Sequence, residues 1–394
     1  MKDSAETVRY WPHILLLWLM GLLAAAQLGK MSALLPLLRE DLGISLVAAG
    51  WLASLLEAGG AGLGLAAGLL IGRLGNRSGL GFGLLLLAGA GLAEALAQDL
   101  AALVVLRLVE AAGYVLIVIA APSMIAVIAP PSARGPAFAL WSTFVPAGLA
   151  LGVAATGSAL AWMTRGEIFL GWGLLVAAVA AGWFGLPRGQ RPPTVRLALP
   201  GLRVWLLTAG FGCFTVGEVG MLAMLPTFLI EEMGLASGAA GALAGAASLA
   251  TMVGSFAAGW ALIRRSGRNS VLLLSAIGLL AAAAFTLPIF LAPGLSFGLP
   301  PVLLAGVGAV AANAFVGLYP AVVFARLPDL VSGPAGIASA NGVITQFGAG
   351  GALIGPPLAG FVAASFGWGT VSPVLAGCFI AAFALTLWAE ARNS

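Results

Sequence analysis

The chain alternates long apolar runs with short polar interruptions, and the runs approach or exceed the roughly 20 residues that a helix needs to cross about 30 Å of hydrocarbon. Taken in order they predict spans at 11–37, 47–71, 78–97, 101–128, 136–162 and 168–186, then at 204–230, 238–262, 270–291, 300–325, 337–363 and 371–389. The two-residue alternation of a membrane barrel is absent, so helices, which satisfy their backbone groups internally, are the remaining way through lipid. The expected fold class is an all-α polytopic membrane protein with twelve transmembrane helices. A polar break between the sixth and seventh runs divides it into a six-helix bundle at 1–186, a cytoplasmic linker at 187–203 and a second six-helix bundle at 204–394.

Composition removes the soluble alternatives. Of 394 residues 61% are hydrophobic and 8% charged, with a mean hydropathy of +1.08, outside the range of soluble globular domains. The 56 glycines would weaken soluble helices, but in lipid they let helix backbones approach closely. The run from Trp11 is too long for a signal-peptide core and reads as a retained first span.

Charge fixes the expected orientation. Among the 18 Lys and Arg residues, only Arg39 and Arg165 fall on the side away from the termini, Lys30 and Arg107 fall inside spans, and the others share the termini's side. Basic loops stay in the cytoplasm, so both termini should be cytoplasmic, as in a protein of the inner (plasma) membrane. The net charge of +4 therefore describes topology and does not point to nucleic acid. Cys213 and Cys378 lie in spans without metal-ligand spacing, and His13 sits at the inner end of the first span. With no phosphate-binding loop, metal cluster or Ser/His nucleophile arrangement, neither an enzyme nor a cofactor or metal is expected. The expected partners are the bilayer, a small-molecule substrate and protons, with the single chain functional as a monomer.

The two halves repeat. LeuPro at 35–36, Gly43, Gly50, Gly68, Arg73 and Arg77 correspond to LeuPro at 225–226, Gly234, Gly241, Gly259, Arg264 and Arg268, offset by 191 residues from Gly43 onward. Six spans separate equivalent positions, so the bundles run in the same direction about an axis along the membrane normal.

Several of these segments resemble the major facilitator superfamily. GLLIGRLGNR (Gly68–Arg77) is similar to that family's loop between the second and third spans, and GWALIRRSGR (Gly259–Arg268) is a weaker copy. RLVEAAG (Arg107–Gly113) is similar to its fourth-span motif, and PAGLALG (Pro146–Gly152) loosely to its fifth-span motif. The combination of RLVEAAGY, AAPSMIA and ALWSTFVPAG is also similar to the cyanate and nitroimidazole permease branch. The resemblance implies two pseudo-symmetric bundles rocking about a central site lined by the first, fourth, seventh and tenth spans. It also implies a gating loop at Gly68, Arg73, Gly75 and Arg77, although Gly72 stands where the family's loop has an acid.

Embedded charges supply the candidate chemistry. Lys30, Glu57, Arg107, Glu110 and Glu218 fall within spans, and each charge costs roughly 2.5–3.5 kcal/mol to place at the bilayer centre. Arg107, Glu110 and Tyr114 share one helix face. On the family's map Gln27, Lys30, Arg107, Glu110, Tyr114, Glu218, Asn313 and Tyr319 approach the central cavity, with Trp141 bordering it and Asn341 and Gln346 as further candidates. Arginine's fork and lysine's point charge suit an anionic substrate. The structural alternative pairs Arg107 with Glu110 and Lys30 with Glu57. Glu218 has no basic residue in the second-half spans to pair with, which suits a proton carrier, and Glu57 and Glu110 are its rivals in that role. The leading expectation is secondary active transport of a small inorganic or organic anion with proton coupling, by alternating access. Its alternative is proton-driven efflux of amphiphilic drugs or metabolites, and a polytopic protein without a transport cycle is a third class.

Overall fold

In a computed structural model, residues 2–187, 200–264, 267–295 and 298–392 are described. Residues 188–199 of the predicted linker lie outside the described residues, as does Arg265.

The described chain is helical, without strands. The first half runs α1 (Lys2–Leu42), α2 (Leu46–Ser54), α3 (Ala58–Leu74), α4 (Asn76–Glu94), α5 (Leu100–Ile128), α6 (Pro131–Ser142), α7 (Phe144–Ala159) and α8 (Arg165–Ala180). The second runs α9 (Leu202–Glu231), α10 (Ser237–Arg264), α11 (Arg268–Leu291), α12 (Pro301–Val316), α13 (Leu318–Arg326), α14 (Gly333–Phe366) and α15 (Val371–Ala391). The pairs α2–α3, α6–α7 and α12–α13 are each one crossing interrupted mid-way, so the helices group into the twelve expected crossings. Ten of these segments are long and apolar enough to span a bilayer by themselves; the α2–α3 crossing and α4 fall short of that measure. The α2–α3 interruption is a 3-10 turn at Leu55–Glu57.

Helix ends follow local chemistry. Ser45 caps α2 through Ala48 N, Asp99 caps α5 through Ala102 N, and Thr164 with Glu167 forms a reciprocal capping box on α8. The repeat is visible in the turns: Gly43 and Gly234 both take the left-handed backbone, at φ 61° and 67°, that ends the first helix of each half.

Gly50 and Gly241 also have matching tasks. A Cβ on Gly50 would strike the backbone of Pro356 and Pro357 in α14, and one on Gly241 the backbone of Val153 in α7. Each half therefore lays its second crossing against the fifth crossing of the other half, at a position where only a hydrogen fits. Further contacts between halves are Ser32 Oγ donating to the Ala223 carbonyl (3.1 Å), Ser248 Oγ to Pro146 (2.9 Å) and Gln346 Nε2 to Ala61 (3.1 Å), and an ion pair between Arg39 and Glu231. All lie between mid-membrane and the side away from the termini, here called the far side. Toward the termini's side, Gly62, Gly64, Gly68 and Gly72 in α3 have no neighbour among the described residues within reach of a Cβ. The named contacts between the halves thus gather from the middle to the far side.

A cavity of about 580 Å³ lies on the far side between α1, the end of α7, and the α9–α10 junction, with Arg39, Glu40 and Glu231 among its lining residues. Arg39 and Glu231 are 24% and 28% exposed, so their attraction is partly screened. Arg39→Gln should lower stability by less than about 1 kcal/mol. Its larger effect should be on closure: a cysteine at Ser237 is expected to react faster with a membrane-impermeant maleimide once Arg39 is neutralised, and an unchanged rate would show the pair does not hold this side shut.

Candidate functional site

The embedded charges of the first half converge on one cluster. Lys30 Nζ donates to Glu94 Oε2 (2.5 Å) and to Glu110 Oε1 (3.2 Å), and Arg107 Nη1 donates to Glu110 Oε2. The order is Glu94, Lys30, Glu110, Arg107, alternating in sign across α4, α1 and α5. Arg107 also donates through Nε to the Leu52 carbonyl (3.3 Å) and through Nη1 to the Gln27 carbonyl (3.4 Å). Leu52 stands in the last turn of α2 before the 3-10 interruption, so the guanidinium serves backbone as well as carboxylate. The Phe169 ring of α8 lies 5.0 Å from Lys30 Nζ. All four charged residues are at most 1% exposed. Two cations and two carboxylates balance, which is how a bundle interior keeps ions that would be prohibitive alone.

This arrangement corrects the expected Lys30–Glu57 pair: Lys30 takes Glu94 and Glu110. Glu94 was missed because it sits beside the polar AQD segment at the end of its span, where a carboxylate reads as facing water. The helix places it at the last residue of α4, on the face toward α1 and α5, next to Gly91, whose Cβ position lies 3.6 Å from Glu110 Oε1. The expected Arg107–Glu110 pair is present.

Most other residues assigned to the cavity bond within a single bundle. Gln27 donates to the Leu23 carbonyl and is buried. Asn313 donates to the Ala309 carbonyl (2.8 Å) and its Oδ1 accepts from Thr251 (3.4 Å). Tyr319 is buried with its hydroxyl 2.7 Å from Thr386 Oγ1, among Phe211 and Phe214. Trp141 stacks on Phe144 and covers Gly21 of α1, where a Cβ would meet its ring. Asn341 is exposed on α14, and Gln346 reaches across to α3.

Two carboxylates stand apart. Glu57 ends the 3-10 turn, is half-buried, and has no hydrogen-bond or ion-pair partner among the described residues; Tyr114 of α5 is its electrostatic neighbour. Glu218 is half-buried on α9, a largely buried helix, and lies 3.5 Å from Thr251 Oγ1, in position to accept its hydrogen bond. The same hydroxyl lies 3.4 Å from Asn313 Oδ1, its one proton serving either acceptor, so a polar chain without a cation runs across α9, α10 and α12. Both acids lie on crossings along which the halves meet.

The Gly68–Arg77 segment expected as a loop is almost all helix, the end of α3 and the start of α4, joined at Gly75 with its positive φ of 88°. Arg77 donates to the carbonyls of Trp183 and Phe184, receives Trp183 Nε1 on its own carbonyl (2.7 Å) and stacks on that indole. These bonds tie the loop to the end of the sixth crossing, within one half. Arg73 is exposed.

A profile of the Major Facilitator Superfamily matches residues 17–328. No curated protein sequence matches the chain. Among solved structures it is similar to a bacterial homolog of the human lysosomal transporter Spinster in an inward-facing, occupied conformation, at TM-score 0.72 and 18% identity over 96% of this chain and 94% of that one. It is similar to the nucleoside transporter NupG at TM-score 0.74 and 14% identity, covering 95% and 99%. The E. coli fucose:proton symporter FucP matches at TM-score 0.61 and 19% identity, covering 98% and 100%. At these identities the likeness shows the fold.

Proposed function

The chain belongs to the major facilitator superfamily and is a multi-pass membrane transporter, and on that premise we propose that it moves an amphiphilic solute, neutral or cationic, in exchange for protons by alternating access. The observation carrying this reading is the unequal treatment of the embedded ions. Lys30 and Arg107 are sealed in the first half and neutralised by Glu94 and Glu110, whereas Glu57 and Glu218 lie on crossings where the halves meet, without a cation. A small anion would need a basic group within the space between the bundles. One feature still favours that second reading: Arg107 Nη2 is buried without an acceptor among the described residues. A neutral or cationic solute instead suits apolar walls interrupted by acids that change charge with a proton.

In this reading the termini face the cytoplasm of a bacterial-type inner membrane, and the gathering of contacts between the halves on the far side supports an inward-facing state of a monomer. Each acid binds a proton when its side is open to water and releases it after the halves rock. The test uses proteoliposomes with an imposed pH gradient and two probes, tetraphenylphosphonium and benzoate. Tetraphenylphosphonium movement should follow the gradient, with Glu218→Gln abolishing that dependence and Glu57→Gln reducing it at least tenfold. Gradient-driven benzoate accumulation that survives Glu218→Gln would replace this reading with the anionic one.

A further inference from the structure

The acids of the buried quartet are not equivalent. Glu110 is held on both oxygens, Oε1 by Lys30 and Oε2 by Arg107. Glu94 is held on one: Oε2 accepts from Lys30 at 2.5 Å, while Oε1 is buried and meets no donor among the described residues. A proton arriving on Glu110 would have to displace a cation from an oxygen. On Glu94 Oε1 it displaces nothing, and Lys30 stays anchored by Glu110.

Location separates them further. Glu94 is the last residue of α4, one helical turn from the exposed Gln98 and Asp99 of the far-side loop, whereas the other end of α4, at Asn76, lies the whole helix away. We propose that Glu94, through Oε1, is a proton-exchange site of the first half, loaded and emptied from the far side. The charged groups facing it are Lys30 from α1 and Glu110 and Arg107 from α5. On the α8 side the neighbours are uncharged, Phe169 against Lys30 and Gly173 against Gly91 and Leu92 of α4, with Arg165 further out, donating to the Ala97 carbonyl and paired with Asp41, and the loop's own Asp99 capping α5. Uptake of one proton turns a neutral quartet into one with a single positive charge and weakens the tie between α4 and Lys30. Lys30 shares α1 with Ser32 and Arg39, the residues that reach α9 across the far-side closure. A proton on Glu94 is therefore felt by the helix that closes the side it came from.

The inference rests on the transport reading for its purpose and not for its test. The test is infrared pH-difference spectroscopy of the full-length protein in nanodiscs, following the high-frequency carbonyl stretch of a carboxylic acid in dry surroundings. In a Glu57→Gln, Glu218→Gln background one such band should still titrate, and adding Glu94→Gln should remove it. If that triple variant does not fold, adding Lys30→Gln with Glu94→Gln removes a cation along with the acid, and the band should again be lost. Persistence of the band in either variant, or no titrating band in the starting background, overturns the proposal. A Glu94 band in this background, together with no gradient-driven transport by the protein carrying all its native acids, would refute the transport reading instead.

Discussion

Glu110→Gln is expected to be the most damaging single exchange in the first half, lowering its stability by about 3–5 kcal/mol. Glu110 is the central anion of the quartet, the one bonded to both cations. Without its charge Lys30 keeps Glu94, but Arg107 is left with two backbone carbonyls, and a guanidinium with no counter-ion is buried at 0% exposure. An amide still fills the space and still offers one oxygen, so the loss measures charge and not volume. Adding Arg107→Met removes the stranded cation and should recover most of the loss, because the remaining Lys30–Glu94 pair is neutral. Both can be read as shifts in the midpoint of detergent-driven unfolding followed by tryptophan fluorescence. A loss under about 1 kcal/mol, the size ordinary for solvated pairs, would mean that water reaches the cluster.

Gly241→Val should abolish transport while leaving each bundle folded. The glycine lies where α10 crosses α7, and an added Cβ would sit 2.6 Å from the Val153 carbonyl oxygen and 3.2 Å from Gly157 Cα. Both are backbone atoms, so no flexible side chain can yield, and the valine must push the second half away from the first. The rest of α10 packs on α12 and α9 within its own half, which keeps that bundle intact. The expected outcome is at least a hundredfold loss of gradient-driven flux, faster maleimide labelling of a cysteine at Ser237, and an unchanged elution profile. Gly50→Val should act alike through Pro356 and Pro357, being the repeat partner of Gly241. Normal flux in either variant would show that far-side closure at these glycines is not part of the cycle.

Much of this architecture was legible because lipid leaves few options. Apolar runs of span length gave the crossings, and the offset of 191 residues paired positions that turn out to share tasks, Gly43 with Gly234 in turning and Gly50 with Gly241 in crossing. The site was legible only along single helices. Arg107 and Glu110, three residues apart, had to meet. Lys30 could reach any of several helices, and its partnership depended on the rotation of α4 about its axis, which a span ending in AQD does not reveal. The same limit applies to Tyr319 and Asn313: a polar group in a span must bond something, and only packing decides whether that is a substrate or Thr386 and Thr251. Glu218 was readable for a simpler reason, since the second half's spans contain no cation for it to find.

The neutrality of the quartet has an electrical consequence. Moving one elementary charge through the membrane potential takes about 2.3 kcal/mol per 100 mV. On the proposed cycle, if the first bundle rocks with Glu94 ionised, Lys30, Arg107, Glu94 and Glu110 together carry no net charge through the field. Their motion is silent to voltage, however deep they lie. Once Glu94 holds a proton the same motion becomes a gating current, so the bundle that looks electrically inert is the part of the molecule whose current would report its proton occupancy.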